Sequence, residues 1–239
     1  MVVCAEKLDH RGINEAIREA GTECTLTGCL GQRFIGAGMA NCSLTVEGIP
    51  GNALGAYLNG AMISVGGNAQ DAVGDTMNDG KIVIHGSVGD AAGYAMRGGS
   101  IWVAGDAGYR AGIHMKEYKE KKPVIVIGGR AGSFLGEYQA GGVIVVLNLI
   151  DPQKKIVGYF PCTGMHGGKM FLRSDCKDIE FPRQVTARPA EAKEIQEIRE
   201  YISEFCRIFG YNVEDVLAGP FTVVTPDSKN PYKQMYVPN

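Results

Sequence analysis

The sequence predicts an all-β core wound as a solenoid of about 19 residues per turn and six to seven turns, with an N-terminal helix and a C-terminal α-helical appendage. Three observations predict it. Aliphatic strand starts recur at Leu44, Ile63, Ile82, Ile101, Ile125 and Ile144, four of the five steps being 19 residues and the other 24. After each strand comes a glycine set spaced G-x2-G-x3-G, intact at Gly48/Gly51/Gly55, Gly86/Gly89/Gly93, Gly105/Gly108/Gly112 and Gly129/Gly132/Gly136. In the remaining copy Gly67 and Gly74 are present, and Gln70 holds the middle place with a one-residue slip. Placed in register on the third glycine, Leu54, Val73, Ala92, Ala111 and Leu135 superpose. Three residues beyond that glycine, Met39, Leu58, Met77, Met96 and Met115 form a second column, broken by Gln139. One such turn cannot offset its own ordering entropy, whereas a stack of turns buries continuous apolar columns.

The elements follow in order. From Asp9 to Gly21, Ile13, Ile17 and Ala20 share one helical face and Gly21 is a stop signal. This helix is expected to cover the opening end, where a terminal turn leaves N–H and C=O groups unpaired. Thr25–Thr27 reads as a further strand, and Gly28/Gly31/Gly36 as an imperfect first glycine set. Within the repeats, Leu44/Val46, Ile63/Val65, Ile82/Ile84, Ile101/Val103, Ile125/Ile127 and Ile144/Val146 are two apart and face one side. Asn52, Asp71 and Asp90 follow the middle glycine and read as Asx corners. Asp71 over Asp90 is expected to point into water. A calcium-binding repeat needs Gly-Gly-x-Gly-x-Asp every nine residues, and only Gly66-Gly67…Asp71 approaches it.

The insert Lys116–Pro123 must leave at a corner, because the 19-residue register resumes after it. It reads as a solvated loop, and in a sharper reading as a docking protrusion. Past Leu147, Asp151-Pro152 marks a turn, and Ile156–Phe160 with Met170–Leu172 reads as one or two more strands. From Pro189 to Phe209 the residues Ile195, Ile198, Ile202, Phe205 and Phe209 make one stripe of an amphipathic helix, with Pro189 in its first turn and Gly210 ending it. Asn212 and Asp215 open a shorter helix through Leu217, and Phe221–Thr225 reads as a strand before a Pro-rich tail. The expected division is 1–185 for the solenoid with its capping helix, repeats spanning 25–147, and 186–239 for the C-terminal helix and tail.

Net charge is −2, with 24 basic and 26 acidic residues, which gives no reason to expect nucleic acid or an anionic membrane as partner. No apolar run reaches the length of a membrane span. Met1–Glu6 lacks the basic-then-apolar start of a secretory signal, and seven cysteines without paired spacing suit a reducing compartment, so a cytoplasmic location is expected. Cys24, Cys29 and Cys42 fit no cluster spacing and read as buried thiols. Gly36-Ala37-Gly38 lacks the third glycine of a dinucleotide loop, and Gly74…Gly80-Lys81 has one residue too many for a phosphate loop. No catalytic, cofactor-binding or metal-binding residue is assigned. His166 is a weak candidate: between glycines, it could titrate near neutral pH, or it could pin a chain reversal with one hydrogen bond, which is the preferred reading.

The glycine repeat, together with Asn14-Glu15-Ala16-Ile17, Gly31-Gln32-Arg33-Phe34-Ile35-Gly36, Gly164-Met165-His166-Gly167-Gly168 and Ser228-Lys229-Asn230-Pro231-Tyr232, resembles the GXGXG domain at the C-terminal end of the glutamate synthase large subunit. A related block occurs in one of the subunits of formylmethanofuran dehydrogenase. The resemblance implies a single-stranded right-handed β-helix without intrinsic catalysis. It implies a structural subunit that holds a glutamine amidotransferase against an FMN-containing synthase subunit in glutamate biosynthesis. No cofactor is then expected in this chain, with FMN and iron–sulfur centres in its partners. Cys4 is too far from the start to be that family's terminal nucleophile. The alternative is the corresponding component of a formylmethanofuran dehydrogenase-type complex, which carries molybdenum or tungsten. A stand-alone β-helix enzyme is the third reading, weakened by a period that is no multiple of six and by the lack of clustered acids and bases. A homo-oligomer remains compatible with either complex.

Overall fold

The computed structural model describes residues 1–227, so the Ser228–Tyr232 motif lies outside the described residues. In chain order the elements are β1 (Val2–Cys4), α1 (His10–Glu19), β2 (Glu23–Leu30), β3 (Ser43–Ile49), β4 (Asn59–Val65), β5 (Asp79–Ile84), β6 (Ser100–Val103), β7 (Val124–Ile127), β8 (Ala140–Val146), β9 (Gly167–Leu172), β10 (Val185–Pro189), α2 (Ala192–Phe209), α3 (Val213–Leu217) and β11 (Thr222–Pro226). They form one 11-stranded sheet in the order β1 to β9, then β11, then β10.

Strands β1 to β9 are parallel neighbours in sequence order, as a solenoid requires. Their register superposes Leu44, Ile63, Ile82, Ile101, Ile125, Ile144 and Met170. Nine strands enclose eight steps, so the coil has about eight turns rather than six to seven. The first strand escapes the sequence pattern because only Val3 of Val2–Cys4 faces inward. At the far end, Ile156–Phe160 is not a strand. Only Val157 bridges, to Ala131, while the strand of that turn is β9. A second, thinner ladder runs along another side of the coil through Ala69, Val88, Ala107, Ala131 and Val157.

Both predicted columns are inside. Leu54, Val73, Ala92, Ala111 and Leu135 are buried, and Leu58, Met77, Met96 and Met115 are fully enclosed in the same cluster. Gln139 is equally enclosed, and its Nε2 donates to Gly141 O and Gly142 O at 3.2 Å each.

Helix α1 starts at Asp9, whose carboxylate accepts from Gly12 N at 2.8 Å. Its Ile13 and Ile17 join the interior cluster, so it plugs the bore. The open strand edge at this end belongs instead to β1. At the other end β11 runs antiparallel to β9, and β10 antiparallel to β11. Pro189 ends β10 rather than opening a helix. Ala190 N bonds Phe221 O, and Arg188 holds Glu194 through two 2.8 Å bonds, which keeps the chain extended to the Glu191 cap.

A second apolar cluster lies outside the bore. Val83, Trp102, Val126, Val145 and Phe171 point outward from successive strands, and α2 covers them with Ile198, Ile202, Phe205 and Cys206. Glu204 of α2 bridges Lys81 at 2.6 Å. The Lys116–Pro123 insert is tied down: Glu117 accepts from Gly142 N at 3.0 Å, Lys121 bridges Asp79 at 2.8 Å, and a tight turn joins Tyr118 to Lys121.

Candidate functional site

Each turn closes through a corner with a repeating conformation. Three residues, alternating along the chain, have positive φ. In one turn they are Ala91, Gly93 and Ala95, and in the next Arg110, Gly112 and His114. The middle position is always the third glycine of the set until the last turn, where Cys162 takes it. A Cβ at Gly93 would meet Ile125 Cδ1 at 2.4 Å, and one at Gly112 would meet Ile144 Cδ1 at 2.4 Å. Gly55 and Gly136 are crowded in the same way, by Ile82 Cδ1 and Met170 Cε at 2.6 Å each. The interior side chains therefore exclude any Cβ there. Cys162 is tolerated because no further parallel strand lies beyond its turn, and its Sγ contacts Met170 Sδ at 3.6 Å.

The first and middle glycines serve a different end. Asn68 Oδ1, Ser87 Oγ and Asp106 Oδ1 each accept from a backbone N–H of the following turn, at Ser87, Asp106 and Arg130. A Cβ at Gly86, Gly105 or Gly129 would lie 2.1–2.3 Å from these oxygens. Asp71 and Asp90 do the same for Asp90 N and Tyr109 N. The middle glycines Gly89 and Gly108 make room for these two carboxylates, since a Cβ there would lie 2.1 Å from Asp71 Oδ1 and 2.2 Å from Asp90 Oδ1. Asp90 itself is exposed, Asp71 also, as expected, and the Asp71–Asp90 stack is a chain of Asx bonds. Gly48 and Gly51 instead face backbone carbonyls, of Cys29 and Gly31, and Gly132 faces Gly108. The spacing alone marked Gly89 as one more bend, whereas in the structure it has ordinary negative-φ backbone and is required by the Asp71 side chain beneath it.

His166 is half-buried, and its Nδ1 lies 3.0 Å from Gly164 O, so it secures the reversal into β9. The other three histidines face aromatic rings: His10 by Phe34, His85 by Phe209, and His114 stacked on Tyr138 at 5.1 Å. All seven cysteines are free thiols. Burial pushes the Cys29 thiol up to about 11, and raises Cys24 and Cys42 as well, so these groups stay protonated at neutral pH.

A cleft of about 630 Å³ opens on the thin-ladder side, floored by Ala107, Ala131 and Val157. Arg130, Lys155, Asp178 and Glu180 give it both signs of charge, and Tyr109, Tyr159, Phe160 and Phe181 give it aromatic walls. Sequence reasoning missed it, because three successive turns and the 178–182 coil contribute its lining. Asn14 was legible only as a motif residue. It caps the first corner, with Nδ2 donating to Phe34 O at 2.8 Å and Oδ1 accepting from Gly36 N at 2.9 Å.

The family described as GXGXG motif matches residues 6–227. The chain belongs to that family. A relative 42% identical over 254 aligned positions, covering 100% of this chain and 97% of its own length, is an uncharacterised protein of Methanocaldococcus jannaschii. Among solved structures the fold is similar to the formyltransferase/hydrolase complex of Methylorubrum extorquens, solved with methylofuran. There the TM-score is 0.64 and the identity 19%, over 92% of this chain and 88% of that one. Among the described residues no helix is long and apolar enough to cross a membrane, and no group of three or more His, Cys, Asp or Glu could hold a metal ion.

Proposed function

We propose that this chain is the non-catalytic structural subunit of a glutamate synthase-type complex, holding a glutamine amidotransferase subunit against an FMN-containing synthase subunit. The observation that carries the reading is how the motif residues are used. All twelve glycines of the four intact sets build corners and close turn-to-turn contacts. Asn14 closes the first turn, and Gly164–Gly168 forms the last reversal. Asn14–Ile17, Gly31–Gly36 and Gly164–Gly168, which resemble glutamate synthase beyond the intact repeats, are thus pieces that finish the ends of the coil. A rigid stack offers wide lateral faces, and its apolar needs are met internally. FMN and iron–sulfur centres belong, on this reading, to the partners, and the setting is the cytoplasm.

A second reading is a structural component of a formyl-transferring complex, favoured by the fold likeness to the formyltransferase/hydrolase assembly. Tagging the full chain in its own cells separates the two. Recovery of an amidotransferase and an FMN protein, with glutamine-dependent glutamate formation from 2-oxoglutarate that stops when this chain is removed, is the expected outcome. Recovery of a formyltransferase/hydrolase or a pterin-binding protein establishes the second reading. Recovery of neither set of partners rejects both.

A further inference from the structure

Hydrogen bonds at the corners run in a fixed order. The middle residue donates back to the preceding turn, as Gly136 N does to Ala111 O at 2.8 Å. The first and third donate forward: Ala91 N to Tyr109 O at 2.7 Å, Phe134 N to Tyr159 O and Tyr138 N to Thr163 O at 2.8 Å each. In the last turn Cys162 N still reaches back to Leu135 O at 2.8 Å. The forward donors there are Phe160 N and Gly164 N, and among the described residues neither has an acceptor. The opposite end is finished by the Asn14 side chain. The strand face of the last turn is covered by β11, and its bore by Ile179 and Phe181. Among the described residues its corner is uncovered, and on the thin ladder Val157 N has no acceptor either. Beside the two donors, Tyr159 is 76% and Phe160 62% exposed, and the Phe160 ring packs 5.4 Å from that of Phe134.

We propose that this corner is the docking point for a polypeptide turn of a partner protein, added as one more corner of the ladder. The inference rests on the scaffold reading and deepens it. Two main-chain carbonyls of the partner, four residues apart as Tyr159 O and Thr163 O are, accept from Phe160 N and Gly164 N. An apolar side chain of the partner covers Phe160 and enters the adjoining cleft. The donor spacing selects a peptide over a small anion. Arg130 and Lys155 stand against Asp106, Asp178 and Glu180, so the cleft lining does not favour an anion.

Hydrogen exchange and one substitution test this in the complex recovered through the full-length chain. The Phe160 and Gly164 amides are expected to exchange about tenfold or more slowly in the complex than in the free chain. Phe160→Asp and the milder Phe160→Ala lose one partner, by about tenfold or more in recovery, while remaining folded by circular dichroism. Tyr57→Asp, at an exposed corner position of an inner turn, retains every partner. A photocrosslinker at position 160 reacts with the partner that is lost. Retention of all partners by both Phe160 variants, or a crosslink to residues 228–239 of the same chain or to a second copy, overturns the inference alone. A wild-type chain that recovers no partner overturns the scaffold reading and this inference with it.

Discussion

Ala91 and Gly93 have φ values of +57° and +70° and lie two residues apart, yet they tolerate change very differently. Ala91 points out of the coil and Gly93 into it, where Ile125 Cδ1 lies 2.4 Å from the position of a Cβ. Gly93→Ala therefore combines the left-handed penalty of about 1–2 kcal/mol with overpacking of about 1–3 kcal/mol. The expected loss is about 2–5 kcal/mol in urea denaturation. Ala91→Gly removes a similar left-handed penalty but loosens the unfolded chain by about 0.4–1 kcal/mol, so its midpoint is expected to move little. An Ala91→Gly variant as damaged as Gly93→Ala would mean that corner geometry, not interior crowding, selects glycine. The difference also explains what was legible. Glycine marked one of three positive-φ positions per turn, and residues as different as Ala, Thr, Arg, His, Tyr and Phe occupy the others. No compositional signal identifies them, so the forward donors of the corner, and the bare pair at Phe160 and Gly164, could be found only in coordinates.

At the level of elements, helix α2 and the strands beneath it were visible separately but not as partners. Runs such as Val124–Ile127 and Val143–Val146 are apolar at every position, which marks a strand buried on both faces. Thr45 and Ser64 occupy the same outward column on β3 and β4, so only the later turns need a cover. Phe205→Ala is expected to destabilise the protein by about 3–5 kcal/mol. Trp102 is the only tryptophan and lies in the same cluster, so its emission should shift to longer wavelength as α2 loosens. Unchanged emission and midpoint would place the helix elsewhere. The seat of α2 is also acid-sensitive. Hydrogen bonds from Arg207 and Lys81 hold the Glu204 carboxyl down at about 2, against about 4.3 unperturbed. A depressed carboxyl contributes its stability above the unfolded value and loses it as pH falls from about 4.3 toward 2. Thermal melting of Glu204→Gln should therefore depend less on pH in that window than wild type, and parallel curves would discard the link.

For the molecule as a whole, the strand starts, glycine sets and buried columns were readable because a 19-residue period repeats one set of physical demands. The end turns were not. β1 carries a single inward residue, Val3, and the last corner places Cys162 where earlier copies have glycine. A terminal turn answers to a helix plug, a hairpin or a partner rather than to a copy of itself, so it loses the period. This asymmetry makes a direct test of the architecture. Excising residues 45–63 joins Leu44 to Ser64 and removes one 19-residue turn remote from α2. The strand column then runs from Leu44 directly to Ile82, with which Ile63 is now paired. Gly36, which faces Ile63 Cδ1 at 2.7 Å, meets Ile82 Cδ1 instead, just as Gly55 does now at 2.6 Å. Because each turn contacts chiefly its neighbours, the stack should close over the gap and lose only about one turn's share of stability. The expected product is a folded coil shortened by about 4.8 Å, measurable by small-angle scattering, with a β-rich circular dichroism spectrum and a cooperative melt. Excising 45–58 instead removes a non-integral length and sets Leu44 out of phase with the columns above it, so that variant should unfold or aggregate. If both deletions behave alike, stability does not reside in turn-to-turn register, and the columns are a consequence of the coil rather than its cause.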